Sequence, residues 1–322
     1  CKNLVIDLRD NTGGFLQSAV QMANEFLPKN KLIVYTQGRK SQRQDYVSDG
    51  KGSYQRMPLV VLINEGSASS SEIFAGAMQD NDRATVIGRR SFGKGLVQQQ
   101  MGFTDGSLIR LTIARYYTPS GRCIQKPYTT GDAADYEQDI YSRYQHGEFF
   151  SQDSIKHTGP AYHTGIGRLV YGGGGITPDI FVAEDTIGLT SYFKQAAMSG
   201  LILQFAYNYT DNNRQKLAKY KTLKELTDYL GKQNVVEQFA SYADKHGLQR
   251  RNLMIRKSHK MLSRFIISRI VYNMLDDEAW TQYLNEDDRV ITAALKVFKN
   301  NAAFPKLTQS DKGKTAPQPK RK

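Results

Sequence analysis

The sequence predicts an α/β core followed by a mainly helical C-terminal part. Three observations carry this. Residues 3–8 and 59–63 are short continuous apolar runs rich in Val, Ile and Leu, the pattern of strands buried on both faces of a sheet. Each run is followed by a turn and then by apolar residues at helical spacing, and strand–turn–helix twice in succession argues α/β layering. From about residue 189 the apolar period becomes helical and stays so to about 300.

The first strand leads into the turn Asp10-Asn11-Thr12-Gly13-Gly14. Phe15, Leu16, Ala19, Val20, Met22, Ala23, Phe26 and Leu27 then recur on one helical face, and Pro28 ends that helix. After the second strand come Asn64-Glu65-Gly66-Ser67 and a helix over about 70–80, with Ile73, Phe74, Ala77 and Met78 inward. Further strands are expected at 84–88, 96–101 and 107–117; Leu108-Ile109-Arg110-Leu111-Thr112-Ile113-Ala114 is the clearest. Residues 127–171 are polar, rich in Tyr and Gly and weakly periodic, and read as a long insertion. Gly172–Gly175 reads as a flexible link. Helices are then expected at 189–209, 222–230, 234–246, 249–275 and 286–299. The resulting division is a core over 1–185, a basic helical domain over 186–305 and a disordered tail over 306–322, where Lys, Pro, Gln and Thr leave nothing to bury.

The chain of 322 residues carries 44 Lys and Arg against 31 Asp and Glu, a net charge of +13. Its 39% hydrophobic content excludes a wholly disordered or collagen-like chain. No apolar run approaches the roughly 18 residues of a membrane span. A charge of this sign invites a nucleic-acid or anionic-membrane partner, so its location matters. Residues 1–185 hold 20 basic and 19 acidic residues, whereas 186–322 hold 24 and 12. The excess therefore belongs to the helical part, where a solvated basic face is favoured over nucleic-acid binding because no helix-turn-helix or RNA-binding signature accompanies it. Cys1 and Cys123 permit one disulfide at most. The sequence opens without Met inside an expected strand, and so reads as a piece of a longer protein.

Two constellations carry chemistry. Ser69-x-x-Glu72 ahead of an apolar helix is a capping box. The same serine run lies at a strand–turn–helix junction, where a hydroxyl is exposed and helix N–H groups can stabilise an oxyanion. Both roles fit, since different serines could serve each. A serine nucleophile needs a base. His146, His157, His163, His246 and His259 all lie away from this core, and their spacings make no metal pair. The alternative base is a lysine, and Lys94, between Gly93 and Gly95, is a promising position, where Gln98 could hold its amine. A lysine serves as base only when burial disfavours its ammonium form; the bland alternative is a solvated lysine in a surface turn. Gly88-Arg89-Arg90-Ser91-Phe92-Gly93-Lys94-Gly95 also approaches the phosphate-binding loop GxxxxGK[ST]. Position 95 lacks the metal-binding hydroxyl, and a strand rather than a helix follows, so both tests of that mechanism fail.

Taken in order, Leu8-Arg9-Asp10-Asn11-Thr12-Gly13-Gly14, Gly66-Ser67-Ala68-Ser69-Ser70-Ser71-Glu72-Ile73, Gly88-x-x-Ser91-Phe92-Gly93-Lys94-Gly95-x-Val97-Gln98, Tyr117-Thr118-Pro119-Ser120-Gly121-Arg122 and Gly175-Ile176-x-Pro178-Asp179 resemble the carboxyl-terminal processing (tail-specific) serine protease family of bacterial envelopes and chloroplasts. The resemblance covers about residues 2–183. It implies a partial crotonase/ClpP-like ββα core, with Ser69 as nucleophile, Lys94 as general base and Gln98 orienting Lys94. It further implies an oxyanion hole from the backbone N–H of Ser70 and of the Gly13-Gly14 turn, with the choice of glycine open. No metal or organic cofactor is expected. The implied substrates are proteins with exposed, often apolar C-termini, and the implied location is the bacterial periplasm. The family's peptide-binding PDZ domain and N-terminal core elements are not in this sequence, so weak or no proteolysis is expected of the chain alone. The 127–171 insertion interrupts the family's usual short path. A non-catalytic peptide-binding or scaffold protein on the same fold is the alternative.

Overall fold

A computed structural model describes residues 1–128, 133–157 and 159–307. The chain divides into two compact units, one of residues 1–184 with 290–322 and one of residues 185–289.

In chain order the first unit contains β1 (Leu4–Asp7), α1 (Leu16–Asn24), β2 (Leu32–Gln37), β3 (Gln44–Val47), β4 (Leu59–Ile63), α2 (Ser70–Asp80), β5 (Thr85–Gly88), β6 (Leu96–Gly102), β7 (Leu108–Tyr117), α3 (Ala133–Gln145), β8 (Ala161–His163), β9 (Leu169–Tyr171) and β10 (Ile180–Phe181). Strands β1-β4-β5-β10 form a parallel sheet in that order, and β3-β2-β7-β6 an antiparallel one. The second unit holds α4 (Ser191–Met198), α5 (Leu201–Leu217), α6 (Leu223–Gly231), α7 (Val235–Lys245), α8 (Asn252–Lys257), α9 (His259–Met274) and α10 (Asp277–Asn285). The chain then returns to the first unit through α11 (Arg289–Lys299).

All five residues of β4 are buried because both faces of the sheet are covered. Leu59, Val61 and Ile63 pack with Ala19, Ala23, Phe74 and Met78 of α1 and α2, while Val60 and Leu62 pack with Val290, Ala294 and Val297 of α11. This corrects the expected boundary at 186–305. The amphipathic stripe of α11 needs an apolar face, and Val60, Leu62 and Ile87 supply it.

Other departures have local causes. The expected helix 189–209 is two helices, divided at Gly200, whose φ of +73° no helix interior adopts. The expected helix 249–275 is α8 and α9, interrupted at Ser258. The described residues of the insertion carry α3 and the antiparallel pair β8–β9. β2 and β3 were not anticipated; β3 is a short polar edge strand with little apolar signal. The strand at 107–117 is present, yet Leu108, Ile109 and Leu111 are exposed. Cys1 and Cys123 are free thiols. Of the tail expected from 306, only residues 306 and 307 are among those described.

Candidate active site

Two β-to-α turns meet at the ends of β1 and β4. The buried Asn64 side chain accepts from the Asp10 N–H (2.8 Å) and donates to the Asp10 carboxylate (2.9 Å), and Ser67 Oγ donates to the Leu8 carbonyl (2.6 Å). The Ala68 N–H donates to the Asn11 carbonyl (3.0 Å). These bonds lay the Asp10–Gly14 turn against the turn that starts α2. The approach is close enough that a Cβ on Gly13, at φ +91°, would stand 2.6 Å from the Ala68 oxygen and 2.9 Å from Ser69 Cβ.

Ser69 caps α2 with φ 58° and ψ −119°. A non-glycine residue there carries strain of about 1–3 kcal/mol and persists only where its surroundings hold it. The holding group is Glu72, which is fully buried. Its Oε2 accepts from the backbone N–H of Ser69 (2.9 Å) and of Lys94 (2.8 Å). Its Oε1 accepts from the N–H of Gly93 (2.7 Å) and from Ser91 Oγ (2.5 Å). Burial pushes this carboxyl up, and the four donors pull against it. The capping role expected of Glu72 is therefore half of what it does: one carboxylate ties the serine turn to the lysine loop across 22 residues of sequence.

The structure thus brings Ser69, Ser70, Gly13, Gly14 and the Lys94 backbone to one place. Among the described residues, no hydrogen bond joins the Ser69 hydroxyl to the Lys94 amine. Gln98 is exposed on β6, opposite Thr112 and just past a register shift at Val97, and makes no hydrogen bond to Lys94. The two turn glycines differ. Gly13 N–H donates to the Asn11 side chain (2.9 Å), an oxygen that also accepts from Ser71 Oγ (2.9 Å). Gly14 N–H donates to Ser70 Oγ (2.6 Å). Gly13 is locked in a local turn, whereas the partner of Gly14 is a hydroxyl that rotates about one bond.

Tyr116 was not anticipated. It is buried on β7, its hydroxyl donates to the Lys94 carbonyl, and the same hydroxyl lies beside the Ser69 side chain. Burial pushes its phenol up, so it stays a protonated donor. Its position within a strand of mixed Arg, Thr and Tyr gave no signal that would single it out. Among the described residues, no group of His, Cys, Asp and Glu is arranged to hold a metal ion. The helical unit carries a cavity of about 610 Å³ lined in part by Glu237, Arg250, Arg256 and His259, and none of the residues above line it.

Residues 1–135 match peptidase family S41, and residues 192–276 match a family of unknown function, DUF8443. The chain is 46% identical over 122 residues, 38% of its length, to a carboxyl-terminal-processing protease of Synechocystis sp.. It is 41% identical over 141 residues, 42% of its length, to a probable CtpA-like serine protease of Staphylococcus aureus. The aligned part spans about 28% of the length of each relative. A solved photosystem II D1 C-terminal processing protease superposes with a TM-score of 0.40 and 28% identity, over 58% of this chain and 36% of that one.

Proposed function

We propose, for a chain whose first 135 residues match peptidase family S41, that it carries the catalytic machinery of a serine endopeptidase acting near protein C-termini by a Ser69–Lys94 mechanism. The observation that supports this most directly is the shared carboxylate: Glu72 Oε2 accepts from both the Ser69 and the Lys94 N–H, at 2.9 and 2.8 Å. Two loops remote in sequence are pinned to one oxygen, which restricts how far their side chains can separate.

In this reading neutral Lys94 takes the proton of the Ser69 hydroxyl as the serine oxygen attacks a peptide carbonyl carbon. The charge that develops on the carbonyl oxygen is met by the N–H of Gly14 and of Ser70, with the substrate oxygen replacing the Ser70 hydroxyl on Gly14. Lys94 returns the proton to the departing amine, and water then hydrolyses the acyl-enzyme. Gln98 steadies the Lys94 amine once substrate is bound. The substrates are proteins with exposed C-termini, recruited with the help of a PDZ domain outside this chain, in the bacterial envelope.

The test is made in the full-length protein with a substrate of defined C-terminus. Ser69→Ala and Lys94→Ala each abolish cleavage while leaving circular dichroism unchanged. Normal cleavage by either variant refutes the assignment.

A further inference from the structure

The insertion also contacts the lysine loop, through groups other than those that Glu72 holds. Arg143, on α3 and buried, donates from its guanidinium to the carbonyls of Arg90 (2.7 Å) and Ser91 (3.0 Å), and its Nε donates to Glu148 (2.8 Å). Glu148 also accepts two bonds from Arg90 (2.7 and 2.6 Å), whose third donor goes to the Gly174 carbonyl (3.0 Å). Lys126 completes the contact. Its N–H donates to the Gly93 carbonyl (2.9 Å). Its ammonium lies over the rings of Phe92 (4.0 Å) and Tyr136 (4.2 Å), and it donates to the Tyr136 carbonyl (2.9 Å) and to Asp139 (3.2 Å), both on α3.

Residues 90–95 belong to no helix or strand, so their backbone groups need partners elsewhere. The carbonyls of Arg90, Ser91 and Gly93 are satisfied from Arg143 and Lys126, and the N–H groups of Gly93 and Lys94 from Glu72. We infer that α3 is a brace for the catalytic lysine, with Arg143 as the positioning residue. This rests on the reading of Lys94 as base. Without Arg143, the buried Ser91 carbonyl and the part-buried Arg90 carbonyl lose their donors, and Glu148 loses one of its two cations. The loop then shifts to find water, and the Lys94 side chain at its end shifts with it.

The test uses the full-length protein, Arg143→Met and Arg143→Lys, and a fluorophosphonate probe. The probe forms a Ser69 O–P bond, fluoride leaves, and Lys94 accepts the hydroxyl proton. In Arg143→Met the saturating rate constant for labelling falls tenfold or more, while the half-saturating probe concentration stays within twofold. Arg143→Lys recovers part of the loss. Amide hydrogen exchange at Gly93 and Lys94 becomes faster in both. An unchanged labelling rate, or unchanged exchange at these amides, overturns the proposal. So does global unfolding of both variants, since Arg143 would then support the whole unit rather than one loop. If the parent protein labels no better than Ser69→Ala, the serine–lysine reading fails and any role of α3 in catalysis falls with it. The exchange measurement still shows whether α3 holds the loop.

Discussion

Glu72→Gln is the most informative single change, because it keeps the shape of the side chain and removes half of its acceptors. The carboxylate receives two donors on each oxygen. An amide must place its NH₂ on one of those sides. Facing Ser91 and Gly93 is the less costly choice. Ser91 Oγ already accepts from the Ile176 N–H (2.7 Å) and has a second lone pair for the new donor, so the Gly93 N–H is orphaned and the Ser91 O–H, which had donated to Glu72, must turn to another acceptor. The opposite placement orphans the Ser69 and Lys94 N–H groups together. One buried donor without a partner costs about 1–3 kcal/mol. Relief from burying a charge offsets part of this, since burial already pushes Glu72 up. A net loss of about 1–2 kcal/mol lowers Tm by roughly 2–8 °C for a domain of this size. Displacing either loop by about 1 Å slows acylation by on the order of a hundredfold. Differential scanning calorimetry and fluorophosphonate labelling read the two effects. A variant within about 1 °C of the parent and within twofold in labelling refutes the claim that this carboxylate holds the two loops.

Three further outcomes are expected. Gly13→Ala puts a Cβ 2.6 Å from the Ala68 oxygen and 2.7 Å from the Ser70 nitrogen at φ +91°, so labelling of Ser69 falls steeply while the circular dichroism spectrum is kept; full labelling would show that the two turns need not touch. Burial alone would raise the Glu148 carboxyl, but Arg90 and Arg143 outweigh it and hold it below the ordinary range. Its contribution is thus present above the unfolded carboxyl pKa of about 4.3 and lost as pH falls through the lower folded value. Glu148→Gln therefore destabilises most at neutral pH and least in acid, as chemical denaturation across pH would record; a deficit that grows in acid would reverse the sign. Leu62→Ala removes a fully buried side chain under α11 and costs about 2–5 kcal/mol, with faster amide exchange along 290–299; unchanged exchange there would mean that α11 does not depend on the sheet.

The elements legible in the sequence were those whose environment is set locally. The run at 59–63 announced a strand covered on both faces, and it is one. The spacing of Ile73, Phe74, Ala77 and Met78 announced α2, and its capping residue announced where it starts. What the sequence hid depends on distant partners. The stripe of α11 looks like any helix of a helical domain until Val60 and Leu62 are seen to lack a cover. Glu72 satisfies the capping pattern so well that nothing local suggests its two further N–H donors and a hydroxyl. Arg143 sits in a stretch without clear period and Lys126 just ahead of it, where two buried cations look like surface charge.

The position of Lys94 in the chain explains why side chains hold it. β5 belongs to the parallel sheet and β6 to the antiparallel one, and residues 90–95 pass from the first to the second. Neither ladder extends into that passage, so its peptide groups would be orphaned inside the protein. A carboxylate for the N–H groups and a guanidinium for the carbonyls supply strong, charge-assisted partners that a short loop cannot make with itself. Water would satisfy the same groups, but it would not fix the loop at one distance from Ser69. The charges therefore serve geometry more than net stability, since burying Glu72 and Arg143 is itself opposed by desolvation. Their neutral isosteres should accordingly lose rate by a larger factor than they lose folded protein, and a variant in which the two losses scale together would count against this division of labour.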